Sequence, residues 1–355
     1  MTPTDLNPER HDSVTSKTAS LVKAIKPYFR PFSALSAYRV SIYLLLLLTL
    51  TGCQPAEPPP PTAPPVSPTI LLIPPIPTGD GSDVMDKLLE RGILRVGIQV
   101  WPSAEYSPPA FRGAANAITG GALTGFEVDI ARLLAEGLSL ELELVEAYPP
   151  VISRGDWRGN WDIALAMLAP FDQPAEPGGV SLTYSRPYGR MPLGVVVPAA
   201  AAEITSLEQL ADHTVGVLED SATQRLLTAE LPLTIDNSPL LPHRPARLQI
   251  VPLSNLAKDI QRLALEPGNV PFEAIFGPAP ILQQALKSDL PLKVSASAAV
   301  FGEQPLAVAV VSQDGLKVER LVSEINKILA RADRQGILAE IYLHWYEQDF
   351  SPGQP

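Results

Sequence analysis

From Ser82 onward the chain alternates short apolar runs of strand type with segments of helical period, and this rhythm constrains its fold more than any other feature. Such alternation leads to an α/β architecture, with helices covering the faces of a largely parallel sheet. A helix is predicted to begin over 84–89, and Leu94-Arg95-Val96-Gly97-Ile98 reads as the first strand. In LTGFEVDIARLLAEGL, apolar Phe126, Ile130, Leu133 and Leu134 recur at helical spacing. Thr124 and Glu127 there are spaced as a capping box, and Gly137 sits where a C′ glycine belongs. Leu140, Leu142 and Leu144 alternate with Glu141 and Glu143, which predicts a strand with one wet face. Residues 161–167 are more fully apolar and predict a buried strand.

The pattern then restarts. Residues 193–197 form another apolar run, Thr205 and Glu208 have capping-box spacing, and Val215-Gly216-Val217-Leu218 is a further strand. Ser221-Ala222-Thr223-Gln224 opens a helix directly at that strand's carboxyl end, and a short strand is predicted over 272–276. Residues 306–311 are apolar again. Val318, Leu321, Val322, Ile325, Ile328 and Leu329 mark a long amphipathic helix, and Ile337, Ile341 and Trp345 share one face of the last. A repeated α/β pattern in roughly 300 residues implies two lobes rather than one core.

Upstream lies a segment of another kind. Residues 44–53 read LLLLLTLTGC, with Arg39 the nearest charge, and the apolar run over 40–50 is too short to span about 30 Å of hydrocarbon as a helix. Leu50-Thr51-Gly52-Cys53 resembles the lipobox of bacterial lipoproteins, in which a peptidase cuts before the cysteine and the thiol carries a diacylglyceryl group. On that likeness residues 1–53 are a signal peptide ending at Cys53, the lipid attachment site; an uncleaved buried helix is the alternative. Eleven prolines fall between residues 54 and 80, and 54–82 reads as a polyproline-like tether. Residues 348–355 are a C-terminal tail.

Charge and cysteine usage narrow the function. Removing residues 1–53 leaves 21 basic and 35 acidic side chains, a formal charge of −14, so nucleic acid is not an expected partner. The single cysteine excludes an intramolecular disulfide. No later apolar run reaches the roughly 18 residues of a membrane helix, so membrane contact is expected through the lipid alone. No zinc-ligand spacing, phosphate loop or nucleophile elbow appears, and no cofactor is expected. The histidines His11, His213, His243 and His344 are scattered.

In order, the segments ILRVGI, TGFEVDIARLLAE, NWDIALAM, YSRPY, SLEQLADHTVGVLEDSAT, FEAIFGPAP and ILAEIYLHWY resemble the family 3 extracellular solute-binding proteins, receptors of polar amino acid uptake systems. The resemblance covers about residues 83–347 and implies a periplasmic-binding-protein-like fold: two α/β lobes joined by two hinge strands, with ligand in the interlobe cleft. It places lobe 1 at about 83–194 and 308–347, lobe 2 at about 195–307, and hinge crossings near Val196-Val197 and Ala307-Val308. It further implies a monomeric receptor on the extracytoplasmic face of the membrane, serving an ABC permease.

The same likeness supplies candidate binding residues. An aromatic stacks on the ligand in the family, and Trp101, Tyr106 and Phe111 are the candidates, Tyr106 foremost. Met167 and Leu168 end the strand that precedes the family's carboxylate-binding arginine, but Gln173 or Pro174 falls nearest that arginine's place. Arg112, Arg186 and Arg190 are the substitutes on nearby loops. The family's Gly-Thr-Thr amides correspond to Asp220, Ser221, Ala222 and Thr223, and its ammonium-pairing aspartate corresponds to Gly277-Pro278. Asp129 is read as a helix-dipole residue rather than a ligand contact. Two alternatives stand beside the receptor: an enzyme on the same fold dehydrating a cyclic acid, with Glu105 or Glu219 as general acid, and a sensory module.

Overall fold

The structure is a computed structural model that describes residues 76–101, 110–112, 122–171, 180–229, 233–235, 238–241, 245–286, 289–312 and 314–353. The expected signal peptide, Cys53 and most of the Pro-rich tether lie outside the described residues. No helix among the described residues is long and apolar enough to cross a membrane.

The first lobe opens with helix α1 (Val84–Arg91) and strand β1 (Ile93–Ile98). Asp83 caps α1 by accepting from the amide of Met85 at 2.9 Å, and Gly92 ends it in the left-handed region. A short ribbon of β2 (Phe111–Arg112) and β3 (Leu123–Thr124) precedes α2 (Phe126–Leu138), β4 (Glu141–Glu146), α3 (Pro149–Arg154), β5 (Ile163–Leu165) and β6 (Leu182–Tyr184). Strand β4 lies at the sheet edge with its glutamates exposed, in the wet-faced manner its alternation predicts.

β7 (Gly189–Pro198) carries the chain into the second lobe, which continues through β8 (Thr214–Leu218), α4 (Ala222–Thr228), the ribbon β9 (Thr234–Ile235) and β10 (Ser238–Pro239), β11 (Gln249–Leu253) and α5 (Leu256–Leu265). β12 (Ala274–Pro278), α6 (Ala279–Ala285), β13 (Leu292–Ala296) and α7 (Ala298–Phe301) complete it. β14 (Glu303–Leu306) returns to the first lobe, where β15 (Ala309–Val311), α8 (Glu319–Arg334) and α9 (Ile337–Tyr346) finish the fold.

The first sheet runs β4-β1-β5-β15-β6, with β1 parallel to β4 and β5, and β15 antiparallel to β5 and β6. The second runs β11-β8-β12-β7-β13, with β14 added to β7. β7 and β14 pair antiparallel through Gly189–Leu306 and Pro192–Glu303, and this ribbon is the crossing between the lobes. The first crossing therefore lies earlier than Val196-Val197, which sit inside the second sheet between β12 and β13. Ala307-Val308 does fall at a crossing, between β14 and β15.

Local signals give way where tertiary contacts outrank them. Helix α2 starts at Gly125 with no side-chain cap, because the Glu127 carboxylate is fully buried and accepts from Met167 and Tyr188 instead. Gly137 lies within α2, where a Cβ would come 2.8 Å from Ile328 of α8, so it serves close helix packing; Ser139 takes the left-handed cap. The second capping box is formed by Ser206 and Gln209 around a 3-10 turn, not by Thr205 and Glu208. On α9 the buried face is Leu338, Tyr342 and Tyr346 rather than Ile337, Ile341 and Trp345, which are half-buried.

Both flanking segments hold to the domain. Ile76 packs against the apolar core, and Asp86 accepts from the amides of Gly79 at 2.7 Å and Gly81 at 3.0 Å, so structured contacts begin before the expected junction at residue 82. In the tail, the Phe350 ring meets Tyr342 and Tyr346, and its carbonyl accepts from Arg190 at 2.8 Å, at the start of the crossing ribbon.

Candidate functional site

Between the two sheets lies a cleft with ≈ 670 Å³ of free space, including the part open to solvent. Parallel strands set its floor, since loops leaving their carboxyl ends converge on one edge of each sheet. Gln99 and Trp101 follow β1, Ala166, Met167 and Leu168 follow β5, Leu218 to Thr223 join β8 to α4, and Phe276, Gly277 and Pro278 end β12. Leu256, Ile281 and Gln304 complete the lining. A second recess of ≈ 510 Å³ shares Gln99, Trp101, Leu218, Leu256 and Ile281 and extends between α5 at Ile260 and α6 at Ala285.

Nine of the sequence candidates line the cleft: Trp101, Met167, Leu168, Asp220, Ser221, Ala222, Thr223, Gly277 and Pro278. Tyr106 and Gln173 lie outside the described residues, and Phe111 is described only as backbone of β2. Arg186 and Arg190 do not enter the cleft; they line a separate surface groove against α8, where Arg186 pairs with Asp333 at 3.5 Å. Of Arg112 only the backbone is described. Among the described residues the lining carries two charges, Glu219 and Asp220, both exposed at the mouth. Neither carboxylate has a cationic partner among the described residues.

The start of α4 satisfies much of its own polarity. The Ser221 hydroxyl donates to the Leu218 carbonyl at 2.6 Å and accepts from the Gln224 amide at 3.1 Å, while the Gln224 side-chain oxygen accepts from the Asp220 amide at 2.8 Å. Asp220 holds a left-handed φ of 57° at this turn. Arg225 of α4 stacks over the Phe171 ring at 4.7 Å and bonds Tyr184, whose phenol burial pushes above its ordinary pKa.

A buried polar chain runs behind the cleft floor. Thr223 donates to the Gln304 side-chain oxygen at 2.8 Å, and the Gln304 amide donates to the Met167 carbonyl at 2.8 Å. The Met167 amide donates to Glu127 Oε1 at 2.7 Å, and the Tyr188 hydroxyl donates to the same oxygen at 2.7 Å. Burial raises the Glu127 carboxyl to about 7, against the opposing pull of the bonds from Met167 and Tyr188.

Sequence reasoning missed Gln99, Ala166, Leu218, Leu256, Phe276, Ile281 and Gln304 as lining residues. Leu256 and Ile281 look like any core position on a helix. Gln304 carried a readable signal, a lone amide entering the apolar run Pro305-Leu306-Ala307-Val308. Asp129 is structural as expected, accepting from the Trp345 indole at 2.8 Å and pairing with Arg132. His344 is exposed beside Trp345, and His213 pairs with Glu273 on the second lobe's surface. No cluster of three metal-capable side chains occurs among the described residues.

Two α/β lobes, two crossing strands and a cleft at the strand ends define a periplasmic-binding-protein-like molecule. The family model described as bacterial extracellular solute-binding proteins, family 3, matches residues 98–348, and the chain belongs to that family. Solved structures with the same fold include the ancestral amino acid-binding protein AncCDT-1, a precursor of cyclohexadienyl dehydratase, at 22% identity and TM-score 0.53, covering 74% of this chain and 99% of that one. Another is the amino acid ABC transporter substrate-binding protein AbpA from Streptococcus pneumoniae bound to L-arginine, at 18% identity and TM-score 0.55, covering 74% and 98%. A curated relative, cyclohexadienyl dehydratase of Pseudomonas aeruginosa, is 29% identical over 126 residues, 36% of this chain. That match spans 42% of the relative's length.

Proposed function

We propose that the chain is the lipid-anchored receptor of an ABC-type importer, taking a small polar solute with an amino-acid-like body and a cationic end. The observation that carries the reading is the cleft lining, whose described charges are Glu219 and Asp220 above an apolar floor of Trp101, Met167, Phe276 and Ile281. Carboxylates with no cationic partner among the described residues, at the mouth of a cleft with apolar walls, attract cations and repel anions. Gln173 or Pro174 stands nearest the place of the family's arginine, so an α-carboxylate leaving water would find no guanidinium fork at that position, at a cost of several kcal/mol. Gly277-Pro278 likewise offers no side chain to pair an α-ammonium, which leaves the cationic end to Asp220 and Glu219.

Family membership supports solute capture outside the cytoplasm, and two solved relatives described as amino acid-binding support the solute class. The Leu50-Thr51-Gly52-Cys53 sequence supports anchoring by lipid at Cys53, with the Pro-rich segment holding a monomeric receptor off the bilayer near its permease. Mass spectrometry of solute released from protein purified without refolding tests the reading. A small organic cation is expected; release of a carboxylate anion with no cationic group would overturn it.

A second reading, an enzyme that dehydrates a cyclic acid, draws on the relative named cyclohexadienyl dehydratase, with Glu219 as the carboxyl facing the cleft. The acidic mouth weighs against an anionic substrate. Turnover of a cyclohexadienyl acid, followed by appearance of the aromatic product, discriminates the two.

A further inference from the structure

Gln304 stands on β14, in the ribbon that crosses between the lobes, and is 2% exposed. Its two polar atoms are spent in opposite directions. The oxygen accepts from Thr223 on α4 of the second lobe, and the nitrogen donates to the carbonyl of Met167 at the end of β5 in the first, each at 2.8 Å. A single amide thus joins the two walls of the cleft. Met167 is itself held in an uncommon left-handed conformation, with φ of 52°, which a non-glycine residue keeps only where its surroundings enforce it. Its amide is fixed by Glu127, and Tyr188, on the segment leading into β7, fixes Glu127 from the other side.

We propose that Gln304 is the positioning residue of a closure latch, in which Thr223 and the Met167 carbonyl, on opposite lobes, are bridged when the cleft is shut and parted when it opens. The proposal rests on the reading of the chain as a receptor whose lobes close over a solute. Its physical logic is the asymmetry of buried hydrogen bonds: in a sealed cleft all three groups are satisfied only together, whereas in an open cleft water satisfies each. The latch biases the solute-free protein toward closure, and Glu127 matters to it only by aiming the Met167 carbonyl at Gln304. The same arrangement explains why Thr223 and Gln304 line the site yet have little left to offer a ligand, since each hydroxyl or amide group is already paired with the other. Two states that differ by a few such bonds lie close enough in energy for ligand binding to select between them.

The test needs no ligand. Spin labels at Glu136→Cys on α2 and Leu265→Cys on α5, both exposed, placed in the full chain carrying Cys53→Ser, report the interlobe distance by pulsed electron paramagnetic resonance. Thr223→Val and Gln304→Leu should each shift the ratio of long to short distances by about fivefold or more, the factor for loss of one net hydrogen bond. The double variant should add little to either, because both break one chain, and Thr223→Ser, which keeps the hydroxyl, should restore the original distribution. Unchanged distances in folded Thr223→Val and Gln304→Leu proteins would overturn the latch while leaving solute capture untouched. So would a shift that Thr223→Ser fails to reverse, since that would trace to shape rather than to the hydroxyl.

Discussion

Tyr188 donates its hydroxyl to Glu127 Oε1 at 2.7 Å, and both side chains are fully buried. The other carboxylate oxygen of Glu127 and the hydroxyls of Tyr342 and Tyr346 are buried without a hydrogen-bond partner among the described residues. All three phenols are pushed well above their ordinary range, by burial first and by the Glu127 charge among the further causes. A carboxyl so enclosed holds its proton more tightly in the folded chain than in the unfolded one.

That difference fixes the sign of a pH dependence. Glu127 rises from 4.5 to about 7 on folding, so the folded state binds the extra proton between those values. Its stabilising contribution is complete below about pH 4.5 and is lost as pH rises to about 7, on the order of 3 kcal/mol in all. Glu127→Gln should remove this loss. Urea unfolding between pH 4.5 and 8 is expected to show a variant curve flatter between about pH 4.5 and 7 than that of the native chain; parallel curves would refute the assignment.

Gly189 opens the crossing ribbon with no room for a side chain, because the Tyr342 hydroxyl occupies the place its Cβ would take. Tyr342 cannot swing aside, being packed among Phe126, Tyr346 and Phe350. Gly189→Ala should therefore destabilise by about 1–3 kcal/mol through overpacking, a fall in Tm of roughly 3–10 °C for a domain of this size. Tyr342→Phe removes a hydroxyl with no described partner, so alone it should change stability by less than about 1 kcal/mol. Combined with Gly189→Ala it should recover part of the loss, a coupling that a double-mutant cycle measures.

Common α-amino acids are expected to bind weakly, for want of a partner to their carboxylate. An unhindered site at 100 times its dissociation constant would gain about 2.7 kcal/mol, a melting shift of roughly 5–10 °C. In a thermal-shift panel the twenty amino acids at millimolar concentration should stay below that range. Decarboxylated amine counterparts should exceed their parents. An amino acid that raises the midpoint fully would restore the ordinary family ligand and make Arg112 and Gln173 the first residues to substitute.

Cys53→Ser should abolish incorporation of a fatty-acid probe, because the single thiol of the chain is the proposed anchor. Undiminished labelling of the variant would sink the lipobox reading.

Strand and helix rhythm and the two-lobe division were legible in the sequence, because alternation and periodicity record which faces are buried; the nine candidates that line the cleft came from the likeness to the family's motifs, not from periodicity. Met167 and Thr223 could be assigned to a cleft from motif order alone. What the sequence leaves undecided is which of two physically equivalent uses a side chain serves. Glu127 has the spacing of a helix cap, yet its carboxylate turns inward to Met167 and Tyr188, residues 40 and 61 positions away. Gly137 has the look of a helix terminator, but the approach of Ile328 explains it. The hinge could not be placed from Val196-Val197, since a strand buried within one sheet and a strand crossing between two carry the same apolar residues. Gln304 shows the limit most plainly: its partners come from opposite lobes, and only the tertiary fold brings Thr223 and Met167 to either side of one amide.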